Sequence, residues 1–257
     1  MALPQGWIAP DWPAPPGVGA ACTTRAGGNS LAPYDSLNLG GHVGDAPEAV
    51  AANRALLAEA IGARPVFLNQ VHGRATAVLA GNEPDGIEAD ACITTSSGIA
   101  CTIMVADCLP VLLALRDGRA VAAAHAGWRG LAGSGGRGVL ESVLESLCSR
   151  TGAQAGDVMA WLGPCIGPAA FEVGPEVKAA FESADSGAAA LFQPHGKGKW
   201  LADLPGLARR RLQALGLTQL YGNDGSAGWC TVANPSRFFS HRRDRVSGRF
   251  AACIWRS

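Results

Sequence analysis

The clearest hydrophobic pattern lies in residues 104–131, where two apolar, β-branched-rich runs flank an Asp-Gly pair at 117–118. Such a pair predicts a β-hairpin with a two-residue type I′ turn, because both central residues of that turn need φ > 0. In that register Cys108 faces Gly127, and His125 is its diagonal neighbour on the same face. Diagonal neighbours lie about 7–8 Å apart at the backbone. The pattern therefore brings a thiol and an imidazole together at the open end of one hairpin.

Helical and alternating patterns predict most of the other elements. The helical pattern of 47–62 starts near a Pro and stops at a Gly, as helices often do. A second helix, over 139–150, has an apolar face formed by Val139, Leu140, Val143, Leu144 and Leu147. Further helices are predicted within 168–184 and over 202–216, and strands over 18–25, 66–72, 75–79, 87–94, 98–106, 157–167 and 217–222. We expect 75–79 to pair with 66–72.

The end of the chain, residues 238–255, contains two runs around Ser247-Gly248 and predicts a closing hairpin. Residues 26–45 and 184–199 are predicted loops. Because strands and helices do not alternate regularly, the pattern favours an α+β fold with a mixed sheet over a doubly wound one. No repeat or linker divides the chain, so we expect one domain over 1–257 with a proline-rich, extended lead-in at 1–17.

Composition narrows the class of protein. The 21 basic and 21 acidic residues balance, so the basic patch typical of nucleic-acid binding is absent. The longest apolar stretch, 99–115, contains Asp107 and Pro110, which excludes a membrane span. The N-terminus lacks a basic start and an apolar h-region, and none of the eight cysteines forms a C-x-x-C pair. These features predict a cytoplasmic protein with free thiols.

His72 ends the predicted strand 66–72 and joins Cys108 and His125 as a candidate ligand. Two His and one Cys suit zinc with one open coordination position. The same set suits blue copper, which needs a weak axial Met, but Met104 is expected to lie far from Cys108 along its strand. Five histidines are too few for a multicopper oxidase, and the H-x-E…P-C-x-x-C deaminase signature is absent.

A cysteine hydrolase is the other mechanistic class, with Cys108 as nucleophile and His125 as base. His72 or Asp107 would orient the base, although Asp107 is expected to point to the opposite strand face. The loop region offers further polar candidates in Arg25, Asn38, His42 and Asp45, for which backbone capping and turn formation are the alternative roles.

Seven segments occur in order along nearly the whole chain from Ala20: TTRAGG, SLNLGGHVGD, NQVHG, ADCLPVLL, AAHAGWRGLAG, WLGPCIGPAAFEVG and FFSHRRDRVSGR. They resemble the YfiH/YlmD family, also called the laccase-domain, polyphenol oxidase or peptidoglycan editing factor family. The resemblance implies layered α/β/β/α mixed sheets in a cysteine-hydrolase-like fold. It also implies a zinc or copper ion on His72, Cys108 and His125. His241 stands where the family has Tyr and Cys165 where it often has Ala, which leaves substrate preference open.

The resemblance further implies a purine nucleoside phosphorylase acting on adenosine, inosine, guanosine and methylthioadenosine, with adenosine deaminase activity. Its partners would be a small nucleoside and phosphate, and the chain would be a monomer or weak dimer. We expect catalytic roles for Cys108, His125 and Arg129, and substrate contacts from Arg25, Asn38 and Arg243. These six expected site residues include Arg129 as the first phosphate ligand, although a structural ion pair is an equal alternative.

Three other functions stay open at the level of the sequence. One is an amidase that edits muramyl-L-serine peptidoglycan precursors, and another is a copper-dependent polyphenol oxidase. The third is a non-enzymatic metal-binding protein with a vestigial site. The presence of all three candidate ligands argues against the vestigial site, because a dead site would be expected to lose at least one.

Overall fold

The computed structural model describes residues 3–257, and α-helices and three sheets account for its main elements. The helices are α1 (Pro47–Ile61), α2 (Trp128–Ala132), α3 (Val139–Thr151), α4 (Pro175–Glu182), α5 (Leu204–Ala214) and α6 (His241–Asp244). The strands are β1 (Val18–Cys22), β2 (Arg64–Phe67), β3 (Thr76–Leu79), β4 (Ala91–Thr94), β5 (Ile99–Val105), β6 (Leu109–Leu115), β7 (Val121–Ala126), β8 (Val158–Leu162), β9 (Glu172–Val173), β10 (Phe192–His195), β11 (Lys199–Ala202), β12 (Gln219–Gly222) and β13 (Phe250–Arg256).

Two mixed sheets form the centre of the fold. The small sheet has the strand order β1-β13-β5-β2, and the large sheet has the order β12-β8-β6-β7-β4-β3. Parallel pairs occur in both sheets, β2 with β5 in the small one and β3 with β4 in the large one. A separate three-stranded antiparallel sheet has the order β10-β11-β9. The predicted α+β class with mixed sheets is confirmed.

Three buried hydrophobic clusters show how the layers stack. The central cluster lies between the two mixed sheets and includes Ile103 of β5 and Leu112 of β6. A second cluster packs α1, through Leu57, against the outer face of the small sheet. The third packs α3, α4 and α5 against the outer face of the large sheet, with Val111 among its members. The order of layers is therefore helix, sheet, sheet, helices.

The β6–β7 hairpin has the predicted register, since Pro110 pairs with His125. Its turn differs from the prediction. Leu115 N–H donates to the Ala120 carbonyl, so the loop has four residues, 116–119, and the positive φ belongs to Gly118. A four-residue loop centred on the same pair leaves the register unchanged, which is why the pairing was right although the type I′ turn was wrong.

Both strongly patterned helices are confirmed. Helix α1 ends at Gly62, which adopts a left-handed conformation with φ 63°, and the five predicted apolar positions are the buried residues of α3. The predicted pairing of residues 75–79 with residues 66–72 is wrong. Strand β3 pairs with β4 in the large sheet, whereas β2 belongs to the small sheet. The end of the chain also differs from the predicted hairpin, since β13 is one strand between β1 and β5.

Two further segments differ from their predictions. Residues 184–199 are not a plain loop, because they contain a 3₁₀ turn and strand β10, which pairs with β11. Residues 241–244, predicted as part of a strand, form the short helix α6. Among residues 3–257, no helix is both long and apolar enough to cross a membrane.

Candidate metal centre

Three chain segments bring His72, Cys108 and His125 together between the ends of the two mixed sheets. His72 lies beyond β2 with a left-handed φ of 62°, Cys108 directly precedes β6, and His125 is on β7. Their potential ligand atoms all lie within 4.8 Å of one another. The Cys108 Sγ is 3.6 Å from His72 Nε2. This is the trio that the sequence predicted.

Gly127 makes room for this group. An added Cβ at this position would lie 2.7 Å from His72 Cδ2 and 3.1 Å from Cys108 Sγ. Gly130, at the same helix entry, has a similar function, since a Cβ there would lie 2.6 Å from the Gly73 carbonyl. The two glycines let α2 approach the backbone that carries His72.

Asp90 orients two of the three candidate ligands, and sequence reasoning missed it. Its carboxylate is fully buried and accepts a 2.8 Å hydrogen bond from His125 Nδ1. It also accepts bonds from the backbone N–H groups of His72 and Gly73, at 2.9 and 2.6 Å. This contact leaves His125 Nε2 as the free ligand atom, which is the usual arrangement of a metal-binding histidine. Its signal in the sequence was an acid directly before the apolar strand β4.

The thiol and the imidazole shift each other's ionisation. Burial raises the pKa of Cys108, but the charges and hydrogen bonds of His125 and His72 outweigh it and lower that pKa to about 6. Burial lowers the pKa of His125, but the Cys108 thiolate and Asp90 raise it to about 9. Burial acts against ionised Asp90 as well, yet its bonds to His125 and the backbone hold its pKa below the usual range. The group therefore favours a thiolate, the form in which Cys binds metal.

A cavity of about 350 Å³ contains this group in its lining. Part of the lining is apolar and includes Trp128, Ile166 and Phe171. Another part is formed by three arginines and two histidines, and the arginines make it cationic: Arg242, Arg245, Arg249, His42 and His241. Ligand cavities commonly combine apolar surface with a few polar groups in this way. Met104, expected to lie far from Cys108, also lines this cavity.

The structure does not bring Arg129 or Arg25 into this cavity. Arg129 is exposed on α2, with its guanidinium 4.5 Å from the ring centroid of Trp128. Arg25 bonds the carbonyls of Asp35 and Pro235 and pairs with the Asp35 carboxylate at 3.2 Å. These contacts fix loop backbone rather than a ligand.

Asn38 and Arg243 also have structural contacts. Asn38 is fully buried; its side chain bonds Gly40 and Asp45 and accepts the backbone N–H of Arg249. Arg243 donates to backbone carbonyls, the strongest to Thr231 at 2.7 Å, and pairs with Asp244. The capping alternative considered for Asn38 thus describes its contacts.

Asp107 does not orient His125, in keeping with its predicted direction. Its carboxylate accepts from the Thr231 hydroxyl and from the backbone N–H of Arg242, both at 2.6 Å. The contact ties the Cys108 segment to the chain end that carries the cavity arginines.

Comparisons with known proteins identify the family of this chain. Residues 19–257 match the family described as multi-copper polyphenol oxidoreductase laccase. The purine nucleoside phosphorylase YfiH of Escherichia coli K12 is 48% identical over 250 residues, which cover 96% of this chain and 98% of that protein. The chain belongs to the YfiH family. A purine nucleoside phosphorylase of Pseudomonas aeruginosa is 49% identical over 252 residues, 98% of each chain.

Solved YfiH-family structures have the same fold. A Neisseria meningitidis protein matches with a TM-score of 0.87 and 43% identity, over 98% of this chain and all of that one. YlmD from Geobacillus stearothermophilus matches with a TM-score of 0.89 and 31% identity, over all of this chain and 98% of that one. These two proteins therefore share the fold described above.

Proposed function

We propose that this YfiH-family protein is a zinc-dependent purine nucleoside phosphorylase that also deaminates adenosine. Adenosine, inosine, guanosine and methylthioadenosine are its proposed nucleoside substrates, and phosphate is the second substrate. Relatives that carry the name purine nucleoside phosphorylase are 44–49% identical to the chain along nearly their whole length. The observation that carries the proposal is one cavity that joins a His-Cys-His group to both an apolar and a cationic lining.

The residues present fit a zinc ion. Zinc prefers thiolate sulfur and imidazole nitrogen, and three protein ligands leave one position open for catalysis. His72, Cys108 and His125 supply this donor set, and Asp90 holds the His125 tautomer. A zinc ion held there would supply Lewis acidity at its open position, for reaction at purine C6 or at C1′.

The chain's own side chains have separate roles in this proposal. The apolar lining around Phe171, Trp128 and Ile166 buries the flat face of a purine, as aromatic and aliphatic surfaces do for bases. The cationic lining attracts the anionic second substrate. Asp90 keeps the imidazole of His125 in one orientation through catalysis.

Turnover of adenosine by metal-assayed protein tests the function. We expect adenine only when phosphate is present and inosine without it, and the loss of both products in Cys108→Ala. Adenosine left unchanged by a zinc-loaded protein under both conditions would overturn the nucleoside assignment. Product from Cys108→Ala at the wild-type rate would separate the activity from this site.

A second function has a specific observation in its favour. Cys108, His125 and Asp90 form a nucleophile–base–orienter series, with a thiol of lowered pKa and a base held by a buried acid. This series suits a cysteine-type amidase, as in editing of muramyl-L-serine peptidoglycan precursors. Chelation separates the two functions. Activity that survives full metal removal but not thiol alkylation belongs to the amidase, whereas activity that is lost on metal removal supports zinc.

A further inference from the structure

We propose that Arg249, together with Arg242 and Arg245, forms an oxyanion subsite that binds free inorganic phosphate beside the candidate metal centre. The inference rests on the proposed function and names the residues that bind its second substrate. It transfers that role from Arg129, which lies outside the cavity, to arginines that line it.

Arg249 is held in place by its backbone while part of its guanidinium stays open. Its N–H donates to Asn38 Oδ1 at 2.8 Å, and its carbonyl accepts from Leu39 at 2.9 Å. Its Nη1 donates to the carbonyls of Ser247 and Gly248. Within residues 3–257 its Nε and Nη2 have no protein acceptor and no carboxylate pairs with it. A fixed guanidinium with open N–H groups in a cavity is suited to a bidentate oxyanion.

Arg242 and Arg245 extend the same cationic surface. Arg242 Nη1 donates to the Glu172 carbonyl at 3.1 Å, and its guanidinium carbon lies 5.7 Å from the Phe171 ring centroid. Arg245 is exposed on the rim of the cavity. Across the part of the chain that the structure describes, neither arginine forms an ion pair with a carboxylate.

Asp107 is the one carboxylate in the cavity lining, and its charge acts on Arg249, so it offsets only one of the three arginine charges. Both oxygens of Asp107 are already engaged, one by Thr231 and the other by the backbone of Arg242. The positive charge also affects His42, since burial and the charges of Arg249 and Arg54 lower the pKa of His42. An anion bound between the arginines would relieve this repulsion.

Phosphate is the anion that fits three guanidinium groups best. It carries up to two negative charges and several acceptor oxygens, so it can bond more than one arginine at once. The same chemistry would suit the 5′-phosphate of a nucleotide. Free phosphate is the proposed ligand. The apolar lining and Cys108 belong to the same cavity as the arginines, so the nucleoside can bind beside the phosphate as a separate molecule.

Titration of zinc-loaded protein with inorganic phosphate in a calorimeter tests the subsite without turnover. We expect phosphate affinity to fall at least tenfold in Arg249→Gln and severalfold in Arg245→Gln, with partial recovery in Arg249→Lys. Arg119→Gln, which removes the same charge at the exposed turn of the β6–β7 hairpin, is the matched control and should bind as wild type does. The phosphate KM should rise in parallel while the adenosine KM stays within about twofold.

The outcomes separate this inference from the proposed function. Phosphate binding that Arg249→Gln abolishes, in a protein without phosphorolysis, supports the subsite and removes the function. Phosphorolysis with an unchanged phosphate KM in both Arg249→Gln and Arg245→Gln overturns the subsite and keeps the function. Adenosine monophosphate that binds at least tenfold more tightly than phosphate, and loses that advantage in Arg249→Gln, would overturn free phosphate as the ligand. If Arg249→Gln does not fold, Arg245→Gln and Arg242→Gln decide.

Discussion

Asp90 organises the candidate metal centre although it supplies no ligand. It holds His125 through Nδ1 and the loop of His72 through backbone N–H groups. Asp90→Asn replaces one acceptor oxygen with an amide that faces donors, so we expect metal affinity to fall about 10–100-fold. Competition with a chromophoric chelator measures it. The control Asp157→Asn changes an exposed acid on a distant ion pair; equal affinities in both variants would contradict the role of Asp90.

Cys108 should be the reactive thiol of the metal-free protein. Its pKa of about 6 means that the thiolate fraction rises as the pH increases through 6, well below the range of an ordinary thiol. Burial raises the pKa of Cys101 and raises that of Cys253 to about 12, so those thiols stay protonated. We expect iodoacetamide to label Cys108 first, with an apparent pKa near 6, and bound zinc to protect it. Labelling with a midpoint above pH 8 would contradict the thiolate–imidazolium pair.

Residue-level prediction from sequence succeeded where geometry was local. Cys108 and His125 followed from one hairpin register, because partners across an antiparallel pair are fixed by the turn. Asp90 was missed, because it reaches the site through its contact with His125, 35 positions away in the chain. An isolated acid before a strand carries no periodic signal.

At the scale of elements, the entry of α2 sets the space for the metal. Gly127 has φ −68° and ψ 156°, which alanine adopts without strain, so the effect of Gly127→Ala is steric. The added methyl would meet His72 and Cys108, and we expect metal affinity to fall more than tenfold and unfolding free energy to fall by about 1–3 kcal/mol. Gly156→Ala, where the Cβ meets open space, is the control. Undiminished metal binding in Gly127→Ala would show that this glycine does not shape the site.

Element prediction worked where the pattern itself decides the structure. Helix α3 carries a full apolar face, α1 and α3 both end at a glycine, and both helices were located. The partners of β2, β3 and β13 were mispredicted, because the strands that they join, β4 and β5, are buried along their whole length, and a continuous apolar run does not say which sheet it belongs to. Contacts between sheets decide that choice, and they lie beyond any local window.

The whole molecule is joined at the metal centre, since His72 follows a strand of the small sheet and His125 lies on the large one. A bound ion would thus connect both sheets, and ligand binding stabilises the folded state by mass action. Zinc at 100 times its Kd contributes about 2.7 kcal/mol, which corresponds to a Tm increase of about 5–10 °C for a chain of this size. Chelation should remove that increase in wild type and change nothing in His72→Ala.

The number of bound ions tests the laccase description against the structure. Residues 3–257 contain one group of three or more His, Cys, Asp or Glu ligand atoms close enough to hold a metal, and the chain has five histidines in all. We therefore expect elemental analysis to find one metal ion per chain. His195→Ala, on exposed β10 beside Glu172, should keep that ion, whereas His72→Ala should lose it. Three or four copper ions per chain would contradict the single site, and retention of metal by His72→Ala would remove His72 from its ligands.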